Sequence, residues 1–358
     1  MEKLTMLDYV KETPGVLRTN IEQYTALVEP LMKEVQQKEI KRILLVASGS
    51  SHNACYCARS FVEKVSGLEV RIITPYTFTY YENDIKENDL VLVVTQSGLS
   101  TNAIEALKII KKKQCRAICL TGNKNSDVKD VADVVIEYGV GEELVGYVTK
   151  GVSSLALFLD LFAIAYSGKT EYLEELKKAV NLNEEMIEKA TEFIELHYKE
   201  FSSMSWVYSC GAGANYGTAL ESALKMGETI HIPSCCYEIE EYIHGPNLQL
   251  TPQYNVIFFD GNDGASRRVE QVYKATRVSE RAYLISNKPG LADDDHVLSL
   301  SDTVSSELCP LVYLPFVQLL SFIVSNDLHS IYQHPLLKEF KAIAAAKTEN
   351  FVNYDGDD

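Results

Sequence analysis

Two hydroxyl-rich segments and one acid-bearing segment carry the residues that could do chemistry. Ser48-Gly49-Ser50-Ser51-His52-Asn53 and Gln96-Ser97-Gly98-Leu99-Ser100-Thr101 combine hydroxyls with small side chains, which let backbone N–H groups approach an anion closely. In the other half of the chain, Glu221, Lys225, Glu228 and His244 bring carboxylates, an ammonium and an imidazole, and carboxylates and imidazoles exchange protons near neutral pH. Together these residues point to proton chemistry on a phosphorylated substrate.

The elements that must position them can be read locally. Ile43-Leu44-Leu45-Val46-Ala47 is an apolar, β-branched run that leads into a helical pattern near His52, and Leu90-Val91-Leu92-Val93-Val94 leads likewise into a helix near Thr101. Each is a strand entering a helix through small hydroxyl residues. The free N–H groups and the dipole at such a helix start favour negative charge. Two such turns in one parallel sheet open at the carboxyl ends of their strands and could clasp one phosphate. The plainer reading, that these serines are only N-caps, stays open. Neither a G-x-x-x-x-G-K-[ST] loop nor a dinucleotide fingerprint is present.

Further strand signals at 70–74, 116–121 and 134–137 alternate with helical segments, the pattern of a parallel sheet covered on both faces, and a helix near 150–167 follows. The scheme restarts at Trp206-Val207-Tyr208-Ser209-Cys210-Gly211-Ala212-Gly213, parallel to Val46-Ala47-Ser48-Gly49, with Asn215 read as the counterpart of Asn53. Strands at 255–260, 281–286 and 296–300 and helices at 265–276 and 311–325 follow. The second copy has Gly211-Ala212-Gly213-Ala214 in place of the serines and Asp260-Gly261-Asn262-Asp263 as its second loop, where acidic groups would repel phosphate. The first copy is therefore expected to hold the phosphate and the second to supply catalytic groups. On a helix from about Asn215, Glu221, Lys225 and Glu228 fall at i, i+4 and i+7 and share one face, which fits a site or a solvated stripe with an ion pair.

ASGSSHNA, TQSGLSTNAIEAL, ALESALKMGE and EEYIHGP resemble the sugar isomerase (SIS) family, as found in the isomerase half of glucosamine-6-phosphate synthase. The resemblance runs from about Lys41 to about Lys347. It implies an α/β fold of two tandem SIS domains, each a parallel sheet flanked by helices on both faces. The expected division is a helical segment 1–40, SIS domain 1 over 41–168, bridging helices 169–204, SIS domain 2 over 205–330 and a tail 331–358. The resemblance also implies that Ser51, Gln96, Ser97 and Ser100 bind a sugar 6-phosphate. Thr149 joins them from Val148-Thr149-Lys150, where the synthase reads Ser-Thr-Lys. Glu221 and Lys225 are carried over as substrate-side groups. Glu228 becomes the residue that moves protons between C1 and C2, and His244, sixteen residues later and followed by Gly245-Pro246, the group that assists ring opening. In the family this histidine comes from a neighbouring subunit, which implies a homodimer with shared sites. A C-terminal lysine closes over the sugar in the synthase, and Lys341 and Lys347 both qualify here.

The chain opens Met1-Glu2-Lys3, so the synthase's N-terminal glutaminase is not expected. The expected activity is instead that of a metal-independent phosphosugar-amine deglycase or isomerase acting on a 6-phosphorylated ketosamine such as fructoselysine or glucoselysine 6-phosphate. The alternatives are a glucosamine-6-phosphate deaminase or isomerase and a non-catalytic sugar-phosphate sensor. A formal charge of −16 and a pI near 5.0 argue against nucleic acid and anionic membranes as partners. Leu311 to Val324 is the most apolar stretch and reads as a buried helix. Eight cysteines without a C-x-x-C pair read as packing residues in a reducing cytoplasm, with no metal and no cofactor expected.

Overall fold

The computed structural model describes residues 4–36, 39–286, 288, 291, 293–331 and 336–352. The chain divides into two compact units that interleave in sequence. One comprises 16–55, 61–172 and 332–358 and holds the first sheet; the other comprises 1–15, 56–60 and 173–331 and holds the second.

Helices α1 (Met6–Glu22) and α2 (Tyr24–Val35) precede β1 (Arg42–Ala47), α3 (Ser50–Ser66), β2 (Glu69–Ile73), α4 (Pro75–Tyr80), β3 (Asp89–Thr95), α5 (Thr101–Lys112), β4 (Ile118–Thr121), β5 (Val134–Glu137) and α6 (Lys150–Ser167). The strands form one parallel sheet in the order β2-β1-β3-β4-β5. Every residue of β1 and β3 is buried, as expected of central strands covered on both faces. Their register is pinned at the start: Arg42 opposes Asp89, and the guanidinium donates to both carboxylate oxygens at 2.9 and 2.7 Å. Helices α4 and α5 cover the face built by Leu44, Val46, Val91 and Val93. Because parallel crossovers are right-handed, α3, which leads away from β1 in the opposite direction, belongs to the other face. The neighbouring strands β1 and β3 thus send their following loops to opposite sides, which leaves a crevice at their carboxyl ends.

The second unit contains α7 (Tyr172–Leu196), α8 (Tyr198–Ser202), β6 (Val207–Gly211), α9 (Asn215–Lys225), β7 (Ser234–Tyr237), α10 (Ile239–Ile243), β8 (Asn255–Phe259), α11 (Ser266–Thr276), β9 (Ala282–Ser286), β10 (Val297–Ser299) and α12 (Cys309–Asp327). Its strands are all parallel in the order β10-β9-β8-β6-β7, the first sheet's topology repeated. The sequence patterning misses β7. Its four residues, Ser-Cys-Cys-Tyr, are only partly buried or exposed on an edge strand, so neither an alternating nor a continuous apolar run marks it.

Among the described residues, two helices, Lys150–Ser167 and Ser306–Asp327, are long and apolar enough to cross a membrane by length and composition, and both are mostly buried inside the protein. The first stands out less in the sequence, because Lys150 and Asp160 interrupt its apolar run. All eight cysteines are free thiols; Cys55, Cys57, Cys119, Cys210 and Cys309 are buried, whereas Cys235 is exposed.

Gly98 has φ +66°, and a Cβ there would lie 1.7 Å from Ser126 Oγ and 2.6 Å from Ser126 Cβ. Gly49 has φ +58°, but a Cβ added to it would meet nothing within 4 Å. Gly98→Ala should therefore lower stability by about 2–4 kcal/mol, combining backbone strain with the clash, and Gly49→Ala by only about 1–2 kcal/mol. Thermal melting checks the ranking; equal losses would contradict it.

Candidate active site

The two hydroxyl loops occupy the crevice above β1 and β3. Gly49 turns the chain at φ +58°, and α3 starts at once, with His52 N–H bonding to Ser48 O at 3.4 Å and Asn53 N–H to Gly49 O at 3.0 Å. Ser51 lies buried on that first turn. After β3, Ser100 takes an extended conformation as the N-cap of α5, and Thr95 Oγ1 donates to its hydroxyl at 3.1 Å. The Ser97 hydroxyl accepts from Leu99 N–H at 3.3 Å. Asn102 Nδ2 donates to Ser48 Oγ at 3.0 Å and ties the two loops together.

A third strand of chain completes this cradle. Lys347 forms an isolated antiparallel bridge with Ser100, flanked by Thr101 N–H to Ala346 O at 3.1 Å and Thr348 N–H to Leu99 O at 2.9 Å. The bridge puts Lys347 Nζ 3.0 Å from both Ser97 Oγ and Ser100 Oγ. Burial pushes this ammonium below the ordinary lysine range. Of the two lysines left open by the sequence, Lys347 therefore belongs to the loops, and Lys341 lies exposed on α13 (Leu336–Ile343). Two helix starts, three hydroxyls and an ammonium are groups whose chemistry suits a dianion, in a chain whose net charge is −16.

Gln96 and Thr149 are placed differently from the other anion-binding candidates. The Gln96 amide is turned onto Glu143 and Tyr138, and the Thr149 hydroxyl donates to Tyr147 O at 2.8 Å. Sequence reasoning misses Glu143, since the partner that gives it a role, Gln96, lies far away in the chain.

In the second unit, Glu221, Lys225 and Glu228 do share one face. Lys225 Nζ lies 3.2 Å from Glu221 Oε1 and 2.5 Å from Glu228 Oε1. Burial alone would lower the Lys225 pKa, but the two carboxylates outweigh it and hold the ammonium above the usual lysine range. Glu221 and Lys225 side chains have no exposure, whereas that of Glu228 is 30% exposed, so Glu228 is the carboxylate a substrate can reach. It stands on a π-helical turn, Met226–Ile230, that continues α9 and ends at His231 with φ +63°. The Thr229 hydroxyl bonds back to Lys225 O at 2.8 Å and reaches Ser321 O of α12 at 3.4 Å, and Ser330 Oγ donates to Thr229 O at 3.1 Å. π-Turns of this kind recur at functional sites. His244 lies outside this group, exposed at the C-terminal end of α10.

The second copy's loops are built differently. Gly213 has the same φ, +58°, as Gly49, and each lies two residues beyond the end of its strand. That register makes Asn215 the counterpart of Ser51, and Gly217 that of Asn53, correcting the pairing of Asn215 with Asn53. The buried Asp260 carboxylate accepts from Ser266 Oγ at 2.5 Å, Ser286 Oγ at 2.9 Å and Asn262 N–H at 3.2 Å. Asp260 follows the end of β8 as Gln96 follows the end of β3, so the second copy has a buried carboxylate where the first has an amide.

Residues 38–165 match the family model for the SIS domain. This part of the chain is a SIS domain. The second sheet, with the same strand order, fits a second SIS domain in tandem. Over 255 residues, 67% of this chain and 42% of the relative, it is 27% identical to the glutamine–fructose-6-phosphate aminotransferase (isomerizing) of Clostridium tetani. The chain spans about half the length of the curated relatives it matches. A Clostridium difficile 630 protein provisionally described as a phosphosugar isomerase superposes with a TM-score of 0.84 over 97% of this chain and 100% of that one, at 23% identity. The glucosamine-6-phosphate deaminase of Thermotoga maritima gives 0.73 over 90% of this chain and 94% of that one, at 22% identity. These likenesses establish the SIS fold.

Lys225→Met leaves Glu221 buried without its cation and should cost about 3–5 kcal/mol. Adding Glu221→Gln should restore much of that loss. Melting of the single and double variants checks it; a mild single variant, or no recovery in the double, would show that the pair is not a coupled buried unit.

Proposed function

We propose that this SIS protein is a phosphosugar-amine deglycase or isomerase acting on a 6-phosphorylated ketosamine, such as fructoselysine or glucoselysine 6-phosphate, which it converts with water into a hexose 6-phosphate and the free amine. The observation that carries this reading is Glu228: a solvent-reachable carboxylate set by a buried ammonium on a π-turn. A carboxylate can take a proton from one carbon of a sugar and return it to the next.

In the proposed sequence, Ser51, Ser97, Ser100 and Lys347 hold the phosphate. His244, supplied by a second copy of the chain, exchanges the proton of the ring oxygen as the ring opens. Glu228 removes a proton from C1, leaving a 1,2-enaminol, and delivers a proton to C2, leaving an imine at C1. Water adds to that carbon, the C–N bond breaks, and the amine departs with the proton it needs. Lys225 stays protonated throughout and fixes the Glu228 oxygen that it binds. A homodimer and a cytoplasmic location accompany this proposal.

Deamination of glucosamine 6-phosphate is the second reading, and likeness to the Thermotoga maritima deaminase favours it. It uses the same groups with the proton moving from C2 to C1. A third possibility, a sensor of sugar phosphates, leaves Glu228 without a task.

Assay of hexose 6-phosphate release across a panel of phosphorylated ketosamines and glucosamine 6-phosphate separates them. The Glu228→Gln variant, which keeps the shape and loses the base, should lower turnover by about 10²- to 10⁴-fold with little change in affinity. Tight binding without turnover of any member by the unaltered protein would favour the sensor.

A further inference from the structure

The stretch between β5 and α6 carries a carboxylate that neither the phosphate cradle nor the proton-transfer groups account for. The first turn of α6 leaves backbone N–H groups without helical partners. Glu143 Oε1 accepts from Thr149 N–H at 2.9 Å and Lys150 N–H at 2.6 Å, and Oε2 accepts from Gly151 N–H at 3.1 Å. Oε2 also accepts from the side-chain amide of Gln96, the residue next to Ser97.

The other end of that amide is held as well, since Tyr138 OH donates to Gln96 Oε1 at 3.2 Å. The Gln96 carbonyl accepts from Gly122 N–H at 2.9 Å and Thr121 Oγ1 at 3.1 Å. A Cβ on residue 151 would lie 1.8 Å from Gln96 Oε1, so a glycine there is what lets the amide lie across the start of α6. Burial raises the Glu143 pKa, and its hydrogen bonds to Gln96 and the backbone oppose that rise. The Gln96 side chain, expected from the resemblance to contact the ligand, is anchored at both ends of its amide, by Glu143 and by Tyr138.

We propose that Glu143 is a positioning residue, which fixes Gln96 and through it holds the Ser97–Ser100 loop in its anion-binding geometry before the ligand arrives. The inference rests on the phosphate-cradle reading given above. A carboxylate suits the task because it only accepts, and it can serve three backbone donors and one amide donor at once. Glutamine at 143 would turn an NH2 group toward donors. The loss would then appear as weaker phosphate binding, transmitted through residue 96.

Calorimetry with glucose 6-phosphate and with glucose, on the full chain, tests this as a double-mutant cycle of Glu143→Gln and Gln96→Leu. The unaltered chain should prefer the phosphorylated sugar. Glu143→Gln should weaken glucose 6-phosphate by about tenfold or more, and much less so in the Gln96→Leu background, because both changes release the same loop. Glu143→Asp, which keeps the charge and shortens the reach, should give an intermediate loss and stands in if the glutamine variant does not fold. Affinity within twofold of the unaltered chain despite a lower melting temperature would overturn the proposal, as would an equal loss in both backgrounds. If the unaltered chain binds both sugars alike, the cradle reading itself falls and the inference falls with it.

Discussion

An ammonium with no access to water must be neutralised inside the protein, and the second unit is arranged around that requirement at Lys225. Removing a charge from solvent costs several kcal/mol, which only close, well-oriented partners offset. Glu221 supplies one partner from the preceding turn of α9, and Glu228 supplies the other from the π-turn. The Thr229 hydroxyl on Lys225 O and α12 behind it hold that turn. Neutralisation and presentation are thus one device: the same contact that satisfies Lys225 aims Glu228 outward.

The two sheets have the same topology and divergent loops. At the first, a glycine with positive φ leads into serines, and Lys347 approaches from the C-terminal segment. At the second, the matching glycine leads into Ala214 and Asn215, and Asp260 takes up hydroxyls that could otherwise face a ligand. One copy brings an ammonium onto its loop serines. The other buries Asp260 among loop hydroxyls and carries the partly exposed Glu228. Net charge reinforces the division, because a strongly acidic chain retains a phosphate only where donors and a cation converge.

Much of this was legible in the sequence because the strands flanking the loops are buried on both faces and read as unbroken apolar runs. The helical spacing of Glu221, Lys225 and Glu228 predicted a shared face, and the ion pairs bear that out. Other features left no local signal. β7 is a short polar edge strand. The π-turn adds one residue to a helical turn, which no 3.6-residue periodicity reveals. Glu143 meets Gln96 across 47 residues of sequence, a pairing that only the folded unit creates. The register of Asn215 emerged from backbone φ values, where letter-by-letter comparison of the two loops had misplaced it.

The central claim is that a proton leaves C1 of the sugar before the amine does. The most direct measurement uses a ketosamine 6-phosphate bearing two deuterons at C1, with the hexose 6-phosphate product followed by NMR. Proton transfer by Glu228 predicts a product that keeps one deuteron at C1, with the other at C2 or lost to solvent. A product that retains both deuterons at C1 would mean that the C–N bond breaks without proton abstraction there, and would contradict the account.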